Sequence, residues 1–97
     1  MAYEIVWSPK ALQKFEHNIS LLQANWTDRE IANFVNRVND ILYNIRSNPG
    51  MYRKSGKGKV REVVITRQII LLYETKRNKV ELLTFFDTRQ NPNKKFR

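Results

Sequence analysis

The amino-acid sequence predicts an α+β domain with the element order β-α-α-β-β-β, in which a hairpin of two helices packs on one face of a mainly antiparallel four-stranded sheet. Three observations predict this fold. Two amphipathic helical patterns occupy the first half of the chain, three strand-like apolar runs occupy the second half, and the links between those runs are short enough for hairpins. At 97 residues, the chain is expected to form one domain, 1–97, with a single core.

A short strand and a first helix are predicted at the start of the chain. Residues 3–7 are rich in aromatic and β-branched side chains, which favours a strand. Ser8 is a good helix N-cap, and Pro9 suits the first helical position because the backbone there needs no N–H donor. Apolar residues at helical spacing then predict a helix to about Gln23, with an inner face made of Leu12, Phe15, Ile19 and Leu22.

The second helix has a clear beginning and a clear end. Thr27 and Glu30 have the spacing of a capping box, in which each side chain accepts a hydrogen bond from the backbone of the other residue. The helix ends by Asn48, because the sequence Asn48-Pro49-Gly50 disfavours helix and suits a type II turn. A short link makes the two helices an antiparallel hairpin, and the apolar stripe of the second consists of Ile31, Phe34, Val35, Val38, Ile41, Leu42 and Ile45.

The second half of the chain predicts a loop and three strands. Residues 51–59 are polar, and the lysines and glycines of residues 53–59, RKSGKGK, predict a mobile basic loop. The last strand is apolar on both faces and is therefore placed centrally, with the first strand beside it. Residues 76–78 are expected to form the turn before that strand, where Asn78 tolerates a positive φ. The three strands are expected at about residues 60–66, 69–75 and 80–86, in an antiparallel meander.

The predicted sheet leaves one face without a helical cover. The middle strand of the three is apolar on both sides, with Ile69, Leu71 and Tyr73 on one side and Ile70 and Leu72 on the other. Because the two helices cover only one face, we expect the other face to be partly apolar and rimmed with cations. Exposed apolar area of this kind is typical of a partner-binding surface.

Composition excludes several classes of protein and site. The chain has no cysteine, so it has neither disulfides nor a thiolate metal site. His17 is the single histidine and lies off the apolar stripe of the first helix, which predicts a solvated side chain. No apolar run approaches the ~20 residues of a membrane-spanning helix, and no signal peptide is recognised. We therefore expect a cytoplasmic protein without a cofactor, a metal ion or a membrane contact.

The net charge of +9 lies in the second half of the chain. Residues 1–52 hold five basic and five acidic side chains, whereas residues 53–97 hold thirteen basic and four acidic ones. A positive field on one part of a molecule attracts anionic partners and speeds their association. Nucleic acid and an acidic protein both fit this charge, and composition does not distinguish them.

Several short motifs together resemble those of the RelE/ParE toxin superfamily. They cover essentially the whole chain in the order and spacing of that family: Trp7-Ser8-Pro9-Lys10-Ala11, Asn48-Pro49, Val60-Arg61-Glu62, Leu72-Tyr73 and Asp87-x-Arg89-x-x-Pro92. The resemblance implies the growth-inhibiting toxin of a bacterial type II toxin–antitoxin pair, a class associated with plasmid stabilization. It also implies a cognate acidic antitoxin that neutralises the toxin, and contact with operator DNA only through the antitoxin complex.

Two branches of the superfamily imply different targets. RelE-like toxins cut ribosome-bound messenger RNA with cations and a general acid, and Arg61 and Arg89 match two of the expected cations. The expected strand arginine falls on Ile70 or Leu71, and the tail lacks the expected tyrosine or histidine. ParE-like toxins act on DNA gyrase and need only a presented surface with cations. A ParE-like toxin is therefore favoured, and a RelE-like mRNA endonuclease and a basic nucleic-acid-binding domain without toxin activity are the alternatives.

The candidate site residues fall into three groups. An enzyme would use Arg61 and Arg89 as catalytic residues. Asp87 is expected to orient Arg89 or a backbone N–H. Tyr73 lies mid-strand and is expected to pack in the sheet, whereas Tyr52 is a candidate for an exposed stacking ring. Antitoxin contacts are expected at Ile70, Leu72, Arg89 and Phe96. Target contacts are expected at Tyr52, Arg53, Lys54, Lys57, Lys59, Lys94, Lys95 and Arg97.

Overall fold

The computed structural model describes residues 2–56 and 58–88, apart from the side chain of Leu22. Helices and strands follow the predicted order β-α-α-β-β-β, and a single 3-10 turn, Pro49–Met51, follows the second helix. No helix in these two ranges is long and apolar enough to cross a membrane. The elements are β1 Glu4–Trp7, α1 Pro9–Asn25, α2 Asp28–Ser47, β2 Val60–Val64, β3 Ile69–Lys76 and β4 Lys79–Asp87.

The four strands form one mixed sheet in the order β1-β4-β3-β2. β3 is antiparallel to both β2 and β4, whereas β1 lies parallel to β4. The prediction that the first strand lies beside a central last strand is confirmed. β4 and β3 each have a strand on both sides, and β4 also carries apolar residues on both faces, as suits a central strand.

Helix α2 begins with the predicted capping box and buries the predicted stripe. Thr27 Oγ1 accepts a hydrogen bond from Glu30 N at 3.2 Å, and Glu30 Oε1 accepts one from Thr27 N at 3.1 Å. These bonds satisfy two of the backbone N–H groups that are left without partners where a helix begins. Four side chains of the stripe are buried: Phe34, Val38, Ile41 and Ile45.

Helix α1 begins after Ser8 as predicted, but its inner face is rotated from the predicted one. Ser8 Oγ accepts a hydrogen bond from Ala11 N at 3.0 Å and donates one to Leu83 O at 3.1 Å, which fixes the start of α1 on β4. Ala11 is fully buried and Asn18 is also buried, whereas Leu12, predicted to face inward, is 47% exposed. Apolar spacing alone therefore does not predict which face of α1 is buried. The hydrogen bonds of Ser8 connect the start of this helix to β4 in its observed orientation.

Four aromatic rings join the two helices to the sheet. The ring centroid of Phe15 in α1 lies 5.4 Å from that of Phe85, 5.9 Å from that of Phe34 and 5.3 Å from that of Trp7. Contacts of this kind add to the stability gained from apolar burial. The core therefore lies between the helices and one face of the sheet, which we call the helix side. The opposite face is called the far face.

A β-bulge in β4 explains why this strand buries residues out of strict alternation. Leu83 has no partner in β3, because the residues on either side of it, Leu82 and Thr84, pair with consecutive residues of β3. Leu82 and Phe85 consequently both face the helix side, and both are buried.

The turn after α2 differs from its predicted form, and the turn between β3 and β4 has its positive φ at a residue that the sequence analysis did not single out. Residues 48–51 contain the 3-10 turn, and Gly50 lacks the positive φ that a type II turn requires. Arg77 and Asn78 join β3 to β4, and Arg77 rather than Asn78 takes a positive φ, of 55°. The left-handed residue is thus the first of a two-residue link, a position where tight hairpins require it.

The segment predicted as a mobile basic loop is partly paired with the sheet. Ser55 N donates a hydrogen bond to Val60 O at 2.9 Å, and Lys54 lies opposite Arg61 in an antiparallel bridge. Residues 53–55 therefore form a short arm along the outer edge of β2, which we call the edge arm. These residues therefore pair with β2, whereas the sequence predicted a loop for them.

Candidate functional site

The structure places Arg61 on the helix side of the sheet. Arg61 lies opposite Tyr73 of β3, and Lys54 of the edge arm lies opposite Arg61. Residues that face one another across neighbouring strands share a face of the sheet. Lys54, Arg61 and Tyr73 therefore form one row beneath the helices.

The loop before β2 holds the guanidinium group of Arg61 in place. Arg61 Nη1 donates a hydrogen bond to Tyr52 O at 2.7 Å. Arg61 Nη2 lies 4.0 Å from the position that a Cβ atom at Gly50 would take. Because the side chain is also half-buried, its charged end has a defined position near the 3-10 turn instead of extending freely into water.

Tyr52 does not present the exposed stacking ring that was predicted. Its side chain is half-buried and packs against the hydrophobic core. Its hydroxyl accepts a hydrogen bond from Asn44 Nδ2 at 3.4 Å, which joins it to α2. The aromatic character of Tyr52 thus serves to anchor the loop whose carbonyl holds Arg61.

A pocket of about 320 Å³ lies beside Arg61, between the edge arm and the 3-10 turn. We call it the helix-side pocket. Three predicted site cations, Lys54, Lys59 and Arg61, line it together. Among residues 2–56 and 58–88, no carboxylate lies within ion-pair distance of these three side chains. The other lining residues are Tyr3, Pro49, Gly50, Gly58 and Thr75.

Tyr73 is buried beneath this pocket and stabilises its floor through Pro49, one of the lining residues. The side chain is fully buried, as its mid-strand position predicted, and its hydroxyl donates a hydrogen bond to Pro49 O at 2.6 Å. Burial raises the pKa of Tyr73 to about 12, although the positive charge of Arg61 acts in the opposite direction. Tyr73 therefore keeps its proton at neutral pH and supports the 3-10 turn.

The far face carries the partly apolar surface that was predicted. Val64 is 50% exposed, and Ile70 and Phe86 are half-buried. Leu72 lies on the same face but is only 5% exposed. Of the two strand residues predicted to contact an antitoxin, Ile70 is thus the more accessible.

Two cations on the far face lie close to carboxylates. Arg53 Nη2 lies 3.2 Å from Glu62 Oε2. Lys76 Nζ lies 3.3 Å from Glu74 Oε1 and 3.5 Å from Glu81 Oε1. Arg53 and Lys76 are thus cations of the far face, whereas Arg61 faces the helix side and lines the helix-side pocket together with Lys54 and Lys59.

The structure therefore separates the predicted site residues. Lys54, Lys59 and Arg61 meet in one pocket, whereas Arg53 lies on the opposite face of the sheet. His17 is exposed on α1, as predicted. The orientation of Arg89 by Asp87 stays a prediction. Six of the predicted site residues lie outside the residues that the structure describes: Lys57, Arg89, Lys94, Lys95, Phe96 and Arg97.

Sequence reasoning missed the uncharged walls of the pocket. Tyr3 reaches it because the backbone N–H of Tyr3 donates a hydrogen bond to Arg46 O at 2.9 Å, which brings the start of the chain to the end of α2. From the sequence, Pro49 and Gly50 were assigned to the end of a helix, a turn and a family motif, but not to a binding site. Within the described ranges, no group of three or more histidine, aspartate or glutamate side chains could hold a metal ion.

Comparison with known proteins identifies the family. A family model described as the ParE toxin of the type II toxin–antitoxin system, parDE, matches residues 5–92 of this chain. This chain belongs to the ParE toxin family. The match includes every helix and strand of the fold except the first residue of β1. In a comparison with curated protein sequences, no sequence matches the chain.

Solved structures share the ParE-family fold. A chain of the chromosomal ParDE system from P. aeruginosa superposes with a TM-score of 0.73 at 15% identity, covering 89% of this chain and 96% of that one. The YoeB dimer from Staphylococcus aureus gives a TM-score of 0.62 at 19% identity, with 89% and 97% coverage. The heterotetrameric YoeB-YefM toxin–antitoxin complex from Staphylococcus aureus gives 0.58 at 19% identity, also with 89% and 97% coverage. At these identities, the likeness concerns the fold.

Proposed function

We propose that this ParE-family toxin inhibits growth by binding DNA gyrase and that a cognate acidic antitoxin neutralises it. The observation that carries the proposal is the match of residues 5–92 to ParE toxins of type II systems. The uneven charge of the chain supports it, because a cationic region speeds association with an anionic target or partner.

The chemistry of the described site supports a binding protein over a ribonuclease. RNA cleavage requires a group that donates a proton to the leaving oxygen, close to cations that stabilise the phosphate. Tyr73 shares the row of Arg61, but it is buried and its pKa of about 12 keeps the proton bound. His17 lies exposed on α1, and no α1 residue lines the helix-side pocket.

The far face is the surface that we propose for the antitoxin. Val64, Ile70 and Phe86 give it accessible apolar area, which a partner can bury. The structurally similar YoeB occurs in a complex with YefM, which supports a protein partner for this fold. Arg89 and Phe96 remain in the proposed antitoxin contact on the strength of the sequence alone.

Two assays on the purified chain test the target. The chain is added to a gyrase supercoiling reaction and, separately, to a coupled translation extract. We expect supercoiling to be inhibited and messenger RNA to remain intact. If ribosome-bound message is cut between codons while supercoiling is unaffected, the chain is a RelE-like endonuclease and the proposal is wrong. If the chain only binds nucleic acid, with no effect in either reaction, the toxin proposal fails as a whole.

The antitoxin surface is tested by a matched pair of substitutions. Val64→Asp places a charge at an accessible apolar position of the far face, whereas Tyr43→Asp places one on α2, where Tyr43 is 70% exposed. We expect Val64→Asp to reduce co-purification with the antitoxin at least tenfold, with little change for Tyr43→Asp. Equal co-purification of both variants with the antitoxin would place the interface elsewhere.

A further inference from the structure

We infer that the helix-side pocket binds the phosphate group of a nucleotide. The inference goes beyond the proposed function and does not depend on which macromolecule the toxin attacks. It rests on three cations, Lys54, Lys59 and Arg61, that surround one cavity of about 320 Å³.

The pocket concentrates positive charge that the described residues do not neutralise. Lys54 and Arg61 lie directly opposite each other, an arrangement in which like charges destabilise a strand pair. Lys76, by contrast, lies 3.3 and 3.5 Å from the carboxylates of Glu74 and Glu81. An anion bound between Lys54 and Arg61 would replace their repulsion with attraction, as the glutamates do for Lys76.

Arg61 is held in a geometry suited to such an anion. The hydrogen bond from its Nη1 to Tyr52 O, at 2.7 Å, uses one of the five N–H donors of the guanidinium group. The planar arrangement of the remaining donors matches the oxygens of a phosphate. The hydrogen bond from Tyr73 to Pro49 O fixes the adjacent wall, so little ordering is needed when a ligand binds.

The composition of the pocket favours a phosphate over a carboxylate. Three cations match a doubly charged phosphate monoester better than a singly charged carboxylate. Gly50 and Gly58 contribute no side chains, so part of the lining is open backbone. Tyr3 adds an aromatic side chain to the wall, and aromatic rings are the surfaces on which nucleotide bases stack. Phosphate next to an aromatic wall is the pattern that suits a nucleotide.

The test is isothermal titration calorimetry, in which the purified chain is titrated separately with AMP, adenosine and a 5′-phosphorylated oligonucleotide. We expect AMP to bind with a dissociation constant of roughly 1 mM or tighter, and adenosine not to bind. The double variant Lys54→Gln/Lys59→Gln should weaken AMP binding at least tenfold. Arg29→Gln, which removes one charge near the start of α2, should leave it unchanged. Arg29 lies about 27 Å from the end of α2 at Ser47, since 18 residues at 1.5 Å each separate them.

A second variant keeps the test decisive if the double variant folds poorly. Gly50→Asp introduces a carboxylate beside Arg61, and Gly50 has no positive φ that would make a side chain strained. We expect this variant to lose AMP binding while its far-ultraviolet circular dichroism remains that of the parent chain.

Each outcome of the titration has a defined meaning. If only the oligonucleotide binds, and the double variant loses that binding, the phosphate belongs to nucleic acid and the inference stands. Equal binding of adenosine and AMP, unchanged AMP binding by both pocket variants, or no binding of either AMP or the oligonucleotide overturns it. Binding of a polyglutamate peptide in place of both phosphate ligands also overturns it. The supercoiling assay does not enter this test, so failure of the proposed function is recognised separately.

Discussion

Replacing Tyr73 with phenylalanine tests how the floor of the helix-side pocket is held. The change removes the hydroxyl that donates to Pro49 O at 2.6 Å and keeps the buried ring. A buried carbonyl that loses its donor costs about 1–2 kcal/mol. For a domain of this size, about 1 kcal/mol lowers Tm by roughly 4–8 °C, so we expect Tyr73→Phe to lower Tm by roughly 4–16 °C.

The same hydroxyl gives the protein a specific sensitivity to alkali. Burial is the largest cause that raises the pKa of Tyr73 from 10.0 to about 12 in the folded protein. The folded chain binds this proton more tightly than the unfolded chain. The protonated hydroxyl therefore adds to the free energy of unfolding, and this contribution is fully present below about pH 10 and is lost as pH rises towards 12. The full difference corresponds to roughly 2–3 kcal/mol. Tyr73→Phe lacks the titrating group, so its deficit relative to the parent chain should narrow as pH rises above about 10.

Urea denaturation followed by circular dichroism at neutral pH and at about pH 11 measures both effects. Tyr43→Phe is the matched control, because Tyr43 is 70% exposed and its variant should unfold as the parent does at each pH. Equal stability of Tyr73→Phe and the parent at neutral pH would show that the bond to Pro49 contributes nothing. A deficit that stays constant between the two pH values would refute the pKa argument.

Three further predictions concern the helices and glycines, and each is measured by the free energy of unfolding in urea. Thr27→Ala removes the capping box of α2 and should cost about 1 kcal/mol, with most of it restored by Thr27→Ser. Ala11→Leu should cost about 1–3 kcal/mol because Ala11 is fully buried, whereas Leu12→Ala should cost less than about 1 kcal/mol. A larger cost for Leu12→Ala than for Ala11→Leu would mean that α1 buries the face that the sequence predicted. Gly58→Ala places a side chain at a φ of 87° and should cost about 1 kcal/mol. Gly50→Ala, whose new Cβ atom would make ordinary contacts at 3.7 and 4.0 Å, should be neutral or slightly stabilising. Equal effects of the two substitutions would contradict the positive φ of Gly58.

Local signals in the sequence predicted the element order because they act over a few residues. The capping box at Thr27 and Glu30 needs only neighbouring atoms, and the apolar stripe of α2 is long enough to specify its buried face. The inner face of α1 was less well predicted. Its orientation involves Ser8, whose hydroxyl bonds Leu83 in a distant strand, and no local spacing encodes that contact.

The site depended on features that periodicity does not reveal. The edge arm lies within a polar, glycine-containing segment, 51–59, whose composition concealed the pairing of the arm with β2, and that pairing places Lys54 opposite Arg61. The side of the sheet on which Arg61 lies follows from its register with Tyr73, which is a tertiary property. The charge of the segment was evident from the sequence, but the grouping of three cations in one pocket was not.

The place of β4 between β1 and β3 has a consequence for how the protein is made. The hydrogen bond from Ser8 to Leu83 joins residues 75 positions apart. β1 therefore cannot pair with β4 until most of the chain has been synthesised. Chains grow from the amino end, and pairing across such a separation is slow to form. A nascent chain that stops before β4 offers neither β1 nor β3 its central partner. Interrupted translation of this toxin should therefore yield fragments for proteolysis instead of a shortened active molecule.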